Sequence, residues 1–329
     1  MAAVGRLAGV SQVTVSRALS HPEKVSPDTL KRIRDAIEVT GFVPNALAGA
    51  LASKRSNLIS ALIPSLTNIV YSSFVATFSD SLRQHGYQVL LSETGFDPQD
   101  EAALITTHLS RRPDAMLLTG IHHTAQARRQ LLGADIPVVE VWDITDSPID
   151  MCVGFNHVEA GRAVAAYLHD LGIRQAATIT ARDERAVRRQ TAFADRFAAL
   201  SGRPVPDANT EGPASIGAGR RALRDLIETK GLTVGPTVGA IFCSSDLLAH
   251  GALIEAHARG LAVPGDIAIV GFGDQNFAQD LDPALTTVAV DRVRLGQMAA
   301  RALLDKIGDG ARQNPVLDLG FTIIQRAST

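Results

Sequence analysis

The 329-residue sequence is short of aromatic residues, charge and cysteine: aromatic residues make up 5%, charged residues 20%, and there are two cysteines. Hydrophobic residues reach 46%, and this composition indicates a globular protein rather than a disordered or fibrous one. No apolar run is long enough to span a bilayer, and the N-terminus lacks the charged and then apolar pattern of a signal peptide. We therefore expect a cytoplasmic protein with no membrane partner.

The sequence also lacks the motifs of metal, cofactor and hydrolytic chemistry. Cys152 and Cys243 are far apart in apolar runs without CxxC spacing, so we expect buried, reduced thiols. His122 and His123 are adjacent, and adjacent side chains point in different directions, which argues against a metal site. GxGxxG, GxxxxGK, GxSxG and HExxH do not occur. We expect no metal, no cofactor and no enzymatic activity.

Charge is distributed unevenly along the chain. Residues 1–57 have eight Lys or Arg and four acids, a net charge of +4, whereas the remainder has a net charge of −6. A basic segment suits a polyanion such as nucleic acid, and an acidic body does not. The sequence therefore predicts a separate nucleic-acid-binding head.

The basic segment has the spacing of a helix-turn-helix. Gly9 suits a tight turn, and Ser11 can cap a helix over residues 12–19, in which Val15, Ala18 and Leu19 share an apolar face. The opposite face presents Gln12, Val13, Ser16 and Arg17. Arginine pairs well with guanine in the major groove, and glutamine with adenine or a phosphate. This helix is the predicted DNA-reading element.

Two more helices are predicted in the head. Val4, Leu7 and Ala8 form the apolar face of a first helix. Ser26, Pro27 and Asp28 supply a cap, a proline at the first position and an acid in the first turn of a third helix, which stops at Gly41.

From residue 58 onward, apolar strand-like runs alternate with amphipathic helical stretches. The predicted strands include 58–63, 89–91, 115–118, 138–141, 176–179, 240–243 and 267–272, and the predicted helices include 74–84, 159–171, 191–200 and 247–259. Such alternation predicts an α/β fold of parallel sheets flanked by helices. So many strands indicate two Rossmann-like lobes with a ligand in the crevice at the carboxyl ends of the strands.

Three segments resemble the head of the lactose-repressor (LacI/GalR) family in order and spacing: AGVSQVTVSRAL, VSPDTLKRI and GFVPNALAGAL. The resemblance implies that residues 12–19 form the recognition helix and that the alanine-rich residues 45–53 form a hinge that becomes helical only on operator DNA. It also implies that Leu51 is inserted at a minor-groove step, where a bent duplex can repay the unstacking. The expected DNA-binding residues are Ser11, Gln12, Val13, Thr14, Ser16, Arg17, Asn45, Ala48 and Leu51.

Two positions depart from the family pattern. Met1, Ala2 and Ala3 leave the first helix without the threonine-containing cap and aspartate that are usual there. Gly49 occupies a hinge position where a basic or polar residue is common. We expect this glycine to raise the cost of ordering the hinge by about 0.5–1 kcal/mol.

The resemblance covers essentially the whole chain and implies a body similar to periplasmic sugar-binding proteins. Four segments look most like the repressors of gluconate utilisation: IPSLTN, VVEVWD, SPIDMCVGFNHVEAGR and LDLGFT. This subgroup implies a sugar acid as the effector.

The expected effector site follows from the resemblance and from the chemistry of an acid. Arginine binds a carboxylate well through two N–H groups. Arg189 matches a position where the family places a basic effector contact, and Arg292 matches one that is basic in the gluconate-like subgroup. We expect Arg292 to bind the carboxylate and most of the charged run 182–189 to be solvated. The expected hydroxyl partners are Asn68, Tyr71, Thr119, Asn156, Ser245 and Asp274.

These expectations combine into a homodimeric repressor of sugar-acid catabolic genes that a small effector releases from DNA. Two heads would occupy successive major grooves of a pseudo-palindromic operator. The expected domains are a helix-turn-helix domain, a hinge with its linker, and an effector-binding and dimerisation domain, at 1–44, 45–57 and 58–329. The two lobes of the last are expected at 58–157 with 290–315, and at 158–289 with 316–329.

Three alternatives remain open from the sequence. The same type of regulator could respond to a ketogluconate, a neutral sugar or a corepressor. A solute-binding protein of a transporter shares the two-lobed fold, but it would need a signal peptide and has no use for a basic head. An α/β enzyme acting on sugar acids has no nucleophile or cofactor loop in its favour. The absence of a heptad tail favours a dimer over a tail-made tetramer.

Overall fold

The computed structural model describes residues 1–43, 55–95, 97–232, 239–308 and 314–329. These residues form two compact units, Met1–Leu58 with Arg112–Asp114, and Ile59–Arg111 with Ala115–Thr329. Asn45, Ala48 and Leu51, for which we expected DNA contacts, are outside the described residues. Within the described ranges, no helix has the length and apolar composition needed to cross a membrane.

The first unit contains the predicted three helices. They are α1 (Ala2–Ala8), α2 (Gln12–Ser20) and α3 (Pro27–Thr40), with one 3₁₀ turn at Pro22–Lys24. The predicted cap at Ser11 is confirmed, because its hydroxyl accepts a hydrogen bond from the Thr14 N–H at 3.2 Å. Ser26 caps α3 in the same way, and Gly41 ends α3 with a left-handed φ of 61°. Helix α1 has no side-chain cap, as expected.

The small core of this unit differs from the predicted one at two leucines. The buried residues of the core are Val4, Ala8, Val15, Ala18, Ile33 and Ala36. Leu7 is 57% exposed and Leu19 is 40% exposed, so assigning both to the apolar faces was wrong. Three short helices enclose too little volume to cover every apolar position of each stripe.

The second unit is built from twelve strands and eight helices among its described residues. The strands are β1 (Leu58–Ile63), β2 (Gln88–Glu93), β3 (Ala115–Thr119), β4 (Val138–Val141), β5 (Met151–Gly154), β6 (Gln175–Thr180), β7 (Asp207–Asn209), β8 (Gly239–Cys243), β9 (Ile267–Phe272), β10 (Thr286–Ala289), β11 (Val316–Asp318) and β12 (Thr322–Ile324). The helices are α4 (Ile69–Arg83), α5 (Pro98–Leu109), α6 (Ala125–Gly133), α7 (His157–Asp170), α8 (Glu184–Ser201), α9 (Ile216–Glu228), α10 (Asp246–Ala258) and α11 (Arg292–Ile307).

These elements form two lobes, each around one six-stranded sheet. The first sheet has the order β11-β5-β4-β3-β1-β2 and the second has the order β12-β10-β9-β8-β6-β7. In the second sheet the β10–β12 pair is antiparallel, whereas β9–β10, β8–β9, β6–β8 and β6–β7 are parallel. The predicted α/β fold with two parallel-sheet lobes is confirmed.

The chain passes between the lobes three times: after β5, after β10 and after β11. The last passage corrects an expected boundary. We assigned residues 316–329 to the second lobe, but Val316–Asp318 pairs in parallel with β5 of the first. An edge strand this short has no periodicity of its own, so its partner could not be predicted from sequence.

Helices α7 and α8 pack closely on one face of the second sheet and fix the backbone at the cleft. A Cβ atom on Gly161 of α7 would overlap the carbonyl oxygen of Arg189 in α8. Only glycine permits this approach, so the two helix backbones touch there. The predicted helix over 191–200 in fact begins at Glu184, which brings Arg185 and Arg189 into regular helix.

Candidate functional site

Helix α2 presents most of the predicted DNA-binding residues to solvent. Gln12, Val13, Ser16 and Arg17 are exposed, and Thr14 is half-buried because its N–H and hydroxyl meet the Ser11 cap. Val13 is 66% exposed. The exposed side of α2 therefore presents both polar and apolar side chains.

A cavity of about 350 Å³ lies between the two lobes of the second unit. Its lining includes residues that directly follow β1, β6, β8 and β9, so it occupies the crevice at the carboxyl ends of those strands. This is the place that the α/β alternation predicted.

Both thiols of the unit, Cys152 and Cys243, are buried in its cores, and burial raises the pKa of Cys152 to about 12.

Arg189 is the central charged group of the cleft. It is only 5% exposed. Its Nη1 donates to His157 Nδ1 at 2.9 Å, its Nη2 donates to the Ser244 carbonyl oxygen at 3.1 Å, and the guanidinium carbon is 3.8 Å from the centre of the Phe272 ring. Burial lowers the pKa of Arg189 to about 10, so the group is still a cation at neutral pH. Its Nε is buried and has no hydrogen-bond partner among the described residues.

Arg185, one helical turn before Arg189, is a second buried cation that the sequence analysis missed. Its Nη2 donates to the Tyr71 hydroxyl at 2.9 Å, and both residues line the cavity. Burial raises the pKa of Tyr71, so the phenol is neutral. Most of the run 182–189 is exposed or half-buried, as expected, but Arg185 is buried against that expectation.

The four-residue spacing between Arg185 and Arg189 could have predicted Arg185 as a site residue. Residues four apart share a helix face, and the buried face of α8 that includes Arg189 also includes Ala186, Ala192 and Phe193. An arginine four residues before a predicted effector contact, on that same face, is a second candidate for the site.

Trp142 completes the aromatic wall of the cavity. Its ring makes edge-to-face contacts with Tyr71 and Phe74, with ring centres 5.6 and 5.7 Å apart. Its indole Nε1 is buried, and no residue in the described part of the chain forms a hydrogen bond with it. Trp142 lies in the segment VVEVWD, which resembles the gluconate repressors, but it was not predicted to be a site residue.

Four of the eight predicted effector residues line the cavity: Asn68, Tyr71, Arg189 and Ser245. Asn68 and Ser245 also cap helices α4 and α10, accepting hydrogen bonds from the backbone N–H groups of Val70 and Leu247. Capping fixes each side chain at the start of a helix that begins at the cleft.

The other four predicted residues, Thr119, Asn156, Asp274 and Arg292, are not among the lining residues. The Thr119 hydroxyl donates to the Leu62 carbonyl oxygen at 3.0 Å, and the Asn156 side chain caps α7. The Asp274 carboxylate accepts a hydrogen bond from Arg326 at 2.8 Å, and Arg292 Nη2 donates to the Asp274 carbonyl oxygen at 3.2 Å. Each side chain has a hydrogen-bond partner within the protein, and for Thr119, Asp274 and Arg292 that partner is distant in sequence.

Matches to known proteins agree with this geometry. Residues 1–45 match the family described as bacterial regulatory proteins, lacI family, and residues 165–329 match the family described as periplasmic binding protein-like domain. The HTH-type transcriptional regulator GntR of Pseudomonas aeruginosa is 34% identical over 329 residues, which cover 99% of this chain and 94% of that protein. This chain belongs to the LacI family.

Two more LacI-family proteins are similar over nearly the full length. The HTH-type transcriptional regulator GntR of Escherichia coli K12 is 34% identical, over 96% of this chain and 94% of that protein. A crystal structure of a LacI-family transcriptional regulator from Silicibacter pomeroyi has a TM-score of 0.91 at 30% identity, over 99% of this chain and 98% of that one. The family predicted from sequence is confirmed, and the chain is a DNA-binding transcription regulator.

Proposed function

We propose that this LacI-family regulator is a repressor whose cleft binds a small sugar acid of the gluconate class, and that binding weakens its hold on the operator. The observation that carries the proposal is a pair of unpaired donors, Arg189 Nε and Trp142 Nε1, both buried and both on residues that line one cavity. A buried donor without a partner costs about 1–3 kcal/mol. A ligand that brings acceptor oxygens to these atoms removes that cost.

The charge of Arg189 favours an anion over a neutral acceptor. Its two hydrogen-bonded nitrogens face an imidazole and a carbonyl oxygen, which are neutral groups. Arg188, by contrast, is already paired with the Asp143 carboxylate. Arg292 also has a buried Nη1 without a partner among the described residues, but it is not among the cavity's lining residues, whereas Arg185 and Arg189 are. We therefore assign the carboxylate to Arg189, with Arg185 beside it.

The remainder of the cavity suits a polyol chain. Ser65, Thr67, Asn68, Ser245 and Gln275 bring hydroxyl and amide groups to its lining. The volume of about 350 Å³ falls in the range of small-molecule sites. A neutral sugar could use the same hydroxyl partners, but it would bring no negative charge to Arg189 beyond that of the nearby Asp183 and Asp143.

On the DNA side, we propose that two copies of the protein place α2 in successive major grooves, with Arg17 and Gln12 contacting bases or phosphates. One recognition helix reads few base pairs, and two-fold symmetry doubles the site. The hinge contacts expected of Asn45, Ala48 and Leu51 remain part of this proposal through the family resemblance.

The effector releases DNA only if it binds the DNA-incompetent state more tightly than the DNA-bound state. Because the cavity lies between the lobes, a change in the angle between them alters the ligand contacts and provides that difference in affinity. The protein acts by binding rather than by turnover, so gluconate should be recovered chemically unchanged after incubation.

Calorimetric titration of the protein with gluconate, ketogluconates, glucose and ribose tests the ligand class. We expect saturable binding of at least one acid and none of glucose, and release of labelled operator DNA at the same concentrations of that acid. Binding of glucose with equal affinity, or binding of none of the four, would contradict the sugar-acid assignment and leave the family assignment unchanged.

Replacement of Arg17 by Ala tests the reading face. We expect a loss of about 1–3 kcal/mol in operator binding, measured by gel-shift titration at fixed salt. Arg6→Ala, outside the predicted reading face of α2, is the comparison variant. Unchanged affinity and footprint for Arg17→Ala would contradict the assigned face.

A further inference from the structure

A buried imidazole connects the tryptophan and the arginine of the cleft. His157 is the first residue of α7 and is 3% exposed. Its Nε2 is 2.8 Å from the Trp142 carbonyl oxygen, and its Nδ1 is 2.9 Å from Arg189 Nη1. A carbonyl oxygen only accepts hydrogen bonds and a guanidinium only donates them. These two partners therefore require a hydrogen on Nε2 and a bare lone pair on Nδ1.

The surroundings keep this imidazole neutral. Burial and the positive charge of Arg189, and to a smaller extent that of Arg185, hold the pKa of His157 well below its usual value of 6.5. Its ring also packs edge to face on Phe155, with centres 4.4 Å apart. A protonated ring would place an N–H against the Arg189 N–H. The acceptor on Nδ1 is thus available throughout the neutral pH range.

His157 restricts what Arg189 can do. With Nη1 held by His157, Nη2 held by the Ser244 carbonyl and the plane stacked on Phe272, the guanidinium has one orientation. A guanidinium has five N–H donors, and this orientation leaves the Nε–H among the unpaired ones. The backbone is fixed as well, because α7 and α8 touch at Gly161.

We propose that His157 is a positioning residue for the effector: through Nδ1 it holds Arg189 in the orientation that presents the Nε–H to the ligand carboxylate. This inference rests on the sugar-acid function proposed above. His157 lies where the chain first passes between the lobes, and it joins Trp142 at the end of β4 in the first lobe to Arg189 of α8 in the second. Residues of both lobes therefore fix the orientation of the Arg189 Nε–H.

Two isosteric substitutions separate positioning from a general structural role. In His157→Asn the amide oxygen can occupy the place of Nδ1 and accept a hydrogen bond from Arg189, whereas the hydrogen bond to the Trp142 carbonyl oxygen is lost. In His157→Gln the amide nitrogen can occupy the place of Nε2 and donate to Trp142, whereas the acceptor for Arg189 is lost. We expect His157→Asn to bind gluconate within about threefold of the unaltered protein, and His157→Gln to bind at least about tenfold more weakly, since a hydrogen bond to a charged group is lost.

His108 provides a matched control. It is also a buried histidine with a partner on each ring nitrogen, Ser60 and Ser92, and it does not line the cavity. His108→Asn and His108→Gln should leave gluconate affinity unchanged. Equal weakening in His157→Asn and His157→Gln, in proportion to their lost thermal stability, would overturn the proposal, as would full affinity in His157→Gln.

A second measurement needs no effector and separates this inference from the ligand assignment. Nitrogen NMR of the histidine-labelled protein should show His157 as the neutral ring protonated at Nε2 between pH 6 and 8. Crystal structures should show Arg189 stacked on Phe272 in His157→Asn and displaced in His157→Gln. A ring protonated at Nδ1, or an undisplaced Arg189 in His157→Gln, overturns the positioning role. If gluconate does not bind the unaltered protein, the ligand assignment fails, and these measurements still decide what His157 does.

Discussion

His123 in the first lobe and Arg189 in the cleft are both buried cations, but they are paired differently. His123 donates to two carboxylates, with Nδ1 2.8 Å from Glu101 Oε2 and Nε2 3.2 Å from Glu140 Oε1. The second oxygen of Glu140 accepts the Ile149 N–H at 2.7 Å. Arg189 donates to two neutral groups and has a donor left over.

The pKa values of the two groups shift in opposite directions for this reason. Burial lowers the pKa of both, but for His123 the hydrogen bonds and charges of Glu101 and Glu140 outweigh burial and raise its pKa to about 9. For Arg189 burial prevails and the pKa falls to about 10. A buried charge that is fully paired within the protein, such as His123, stabilises the fold. A buried charge that is incompletely paired, such as Arg189, can gain its missing partner from a ligand.

The largest expected effect is on stability in His123→Ala. Removing the cation leaves Glu101 and the fully buried Glu140 without their partner, and breaking a buried pair costs about 3–5 kcal/mol. Urea unfolding at pH 7 measures the loss. The control is His122→Ala, because the His122 side chain is largely exposed beside Glu184. This substitution should lower the free energy of unfolding by less than about 0.5 kcal/mol. Equal losses of unfolding free energy in the two variants would contradict the view of His123 as a buried cation that stabilises the fold.

The contribution of His123 should also depend on pH. Its pKa is raised from 6.5 in the unfolded chain to about 9 in the fold, so the stabilisation is fully present below pH 6.5 and disappears as the pH rises through 9. A shift of this size corresponds to about 3 kcal/mol. The difference in unfolding free energy between the unaltered protein and His123→Gln should shrink by about that amount between pH 6.5 and 10. A constant difference would mean that the imidazole is not charged in the fold.

Arg189→Met should show the reverse pattern, with a large effect on binding and a small one on folding. Losing the charge-assisted contact should weaken gluconate binding by about 2–4 kcal/mol, roughly 30- to 1,000-fold. Stability should change little, because methionine removes an incompletely paired buried charge and fills similar volume. Titration calorimetry and urea unfolding measure the two effects, with the surface variant Arg162→Met as control. If Arg189→Met destabilised the fold as much as His123→Ala does, the contrast between the two cations would fail.

The smallest effect is expected from Arg292→Ala. Its guanidinium is outside the cavity lining and binds the Asp274 carbonyl oxygen, so gluconate affinity should fall by less than about fivefold, or 1 kcal/mol. The same calorimetric titration measures it beside Arg189→Met. A loss as large as that of Arg189→Met would restore Arg292 as the carboxylate ligand that the sequence had suggested.

Features encoded by neighbouring residues were predictable from the sequence. The caps at Ser11 and Ser26, the end of α3 at Gly41 and the alternation of strands and helices all depend on residues within a turn or two of one another. The family segments then supplied the two-lobed architecture, and the cavity lies where that architecture predicts a ligand.

Features that depend on partners distant in sequence were not predictable. The burial of Arg185 requires Tyr71, more than a hundred residues away, and His123 is buried because Glu101 and Glu140 lie on two other elements. Thr119 is a polar residue at the end of a strand, as expected of a ligand contact, yet its hydroxyl donates a hydrogen bond to a backbone carbonyl oxygen of β1. No local pattern distinguishes a polar side chain that faces a ligand from one that is satisfied internally.

The third passage between the lobes has a consequence for synthesis on the ribosome. Strand β11 forms an edge of the first sheet and β12 forms an edge of the second, so the first sheet is complete only when residue 318 has been translated, and the second only when residue 324 has been translated. The three helices of the head end at Thr40, and the apolar residues of its small core lie between Val4 and Phe42. A message terminated prematurely upstream of residue 316 would therefore encode a chain that keeps the DNA-reading helix while both sheets of its sensing domain lack an edge.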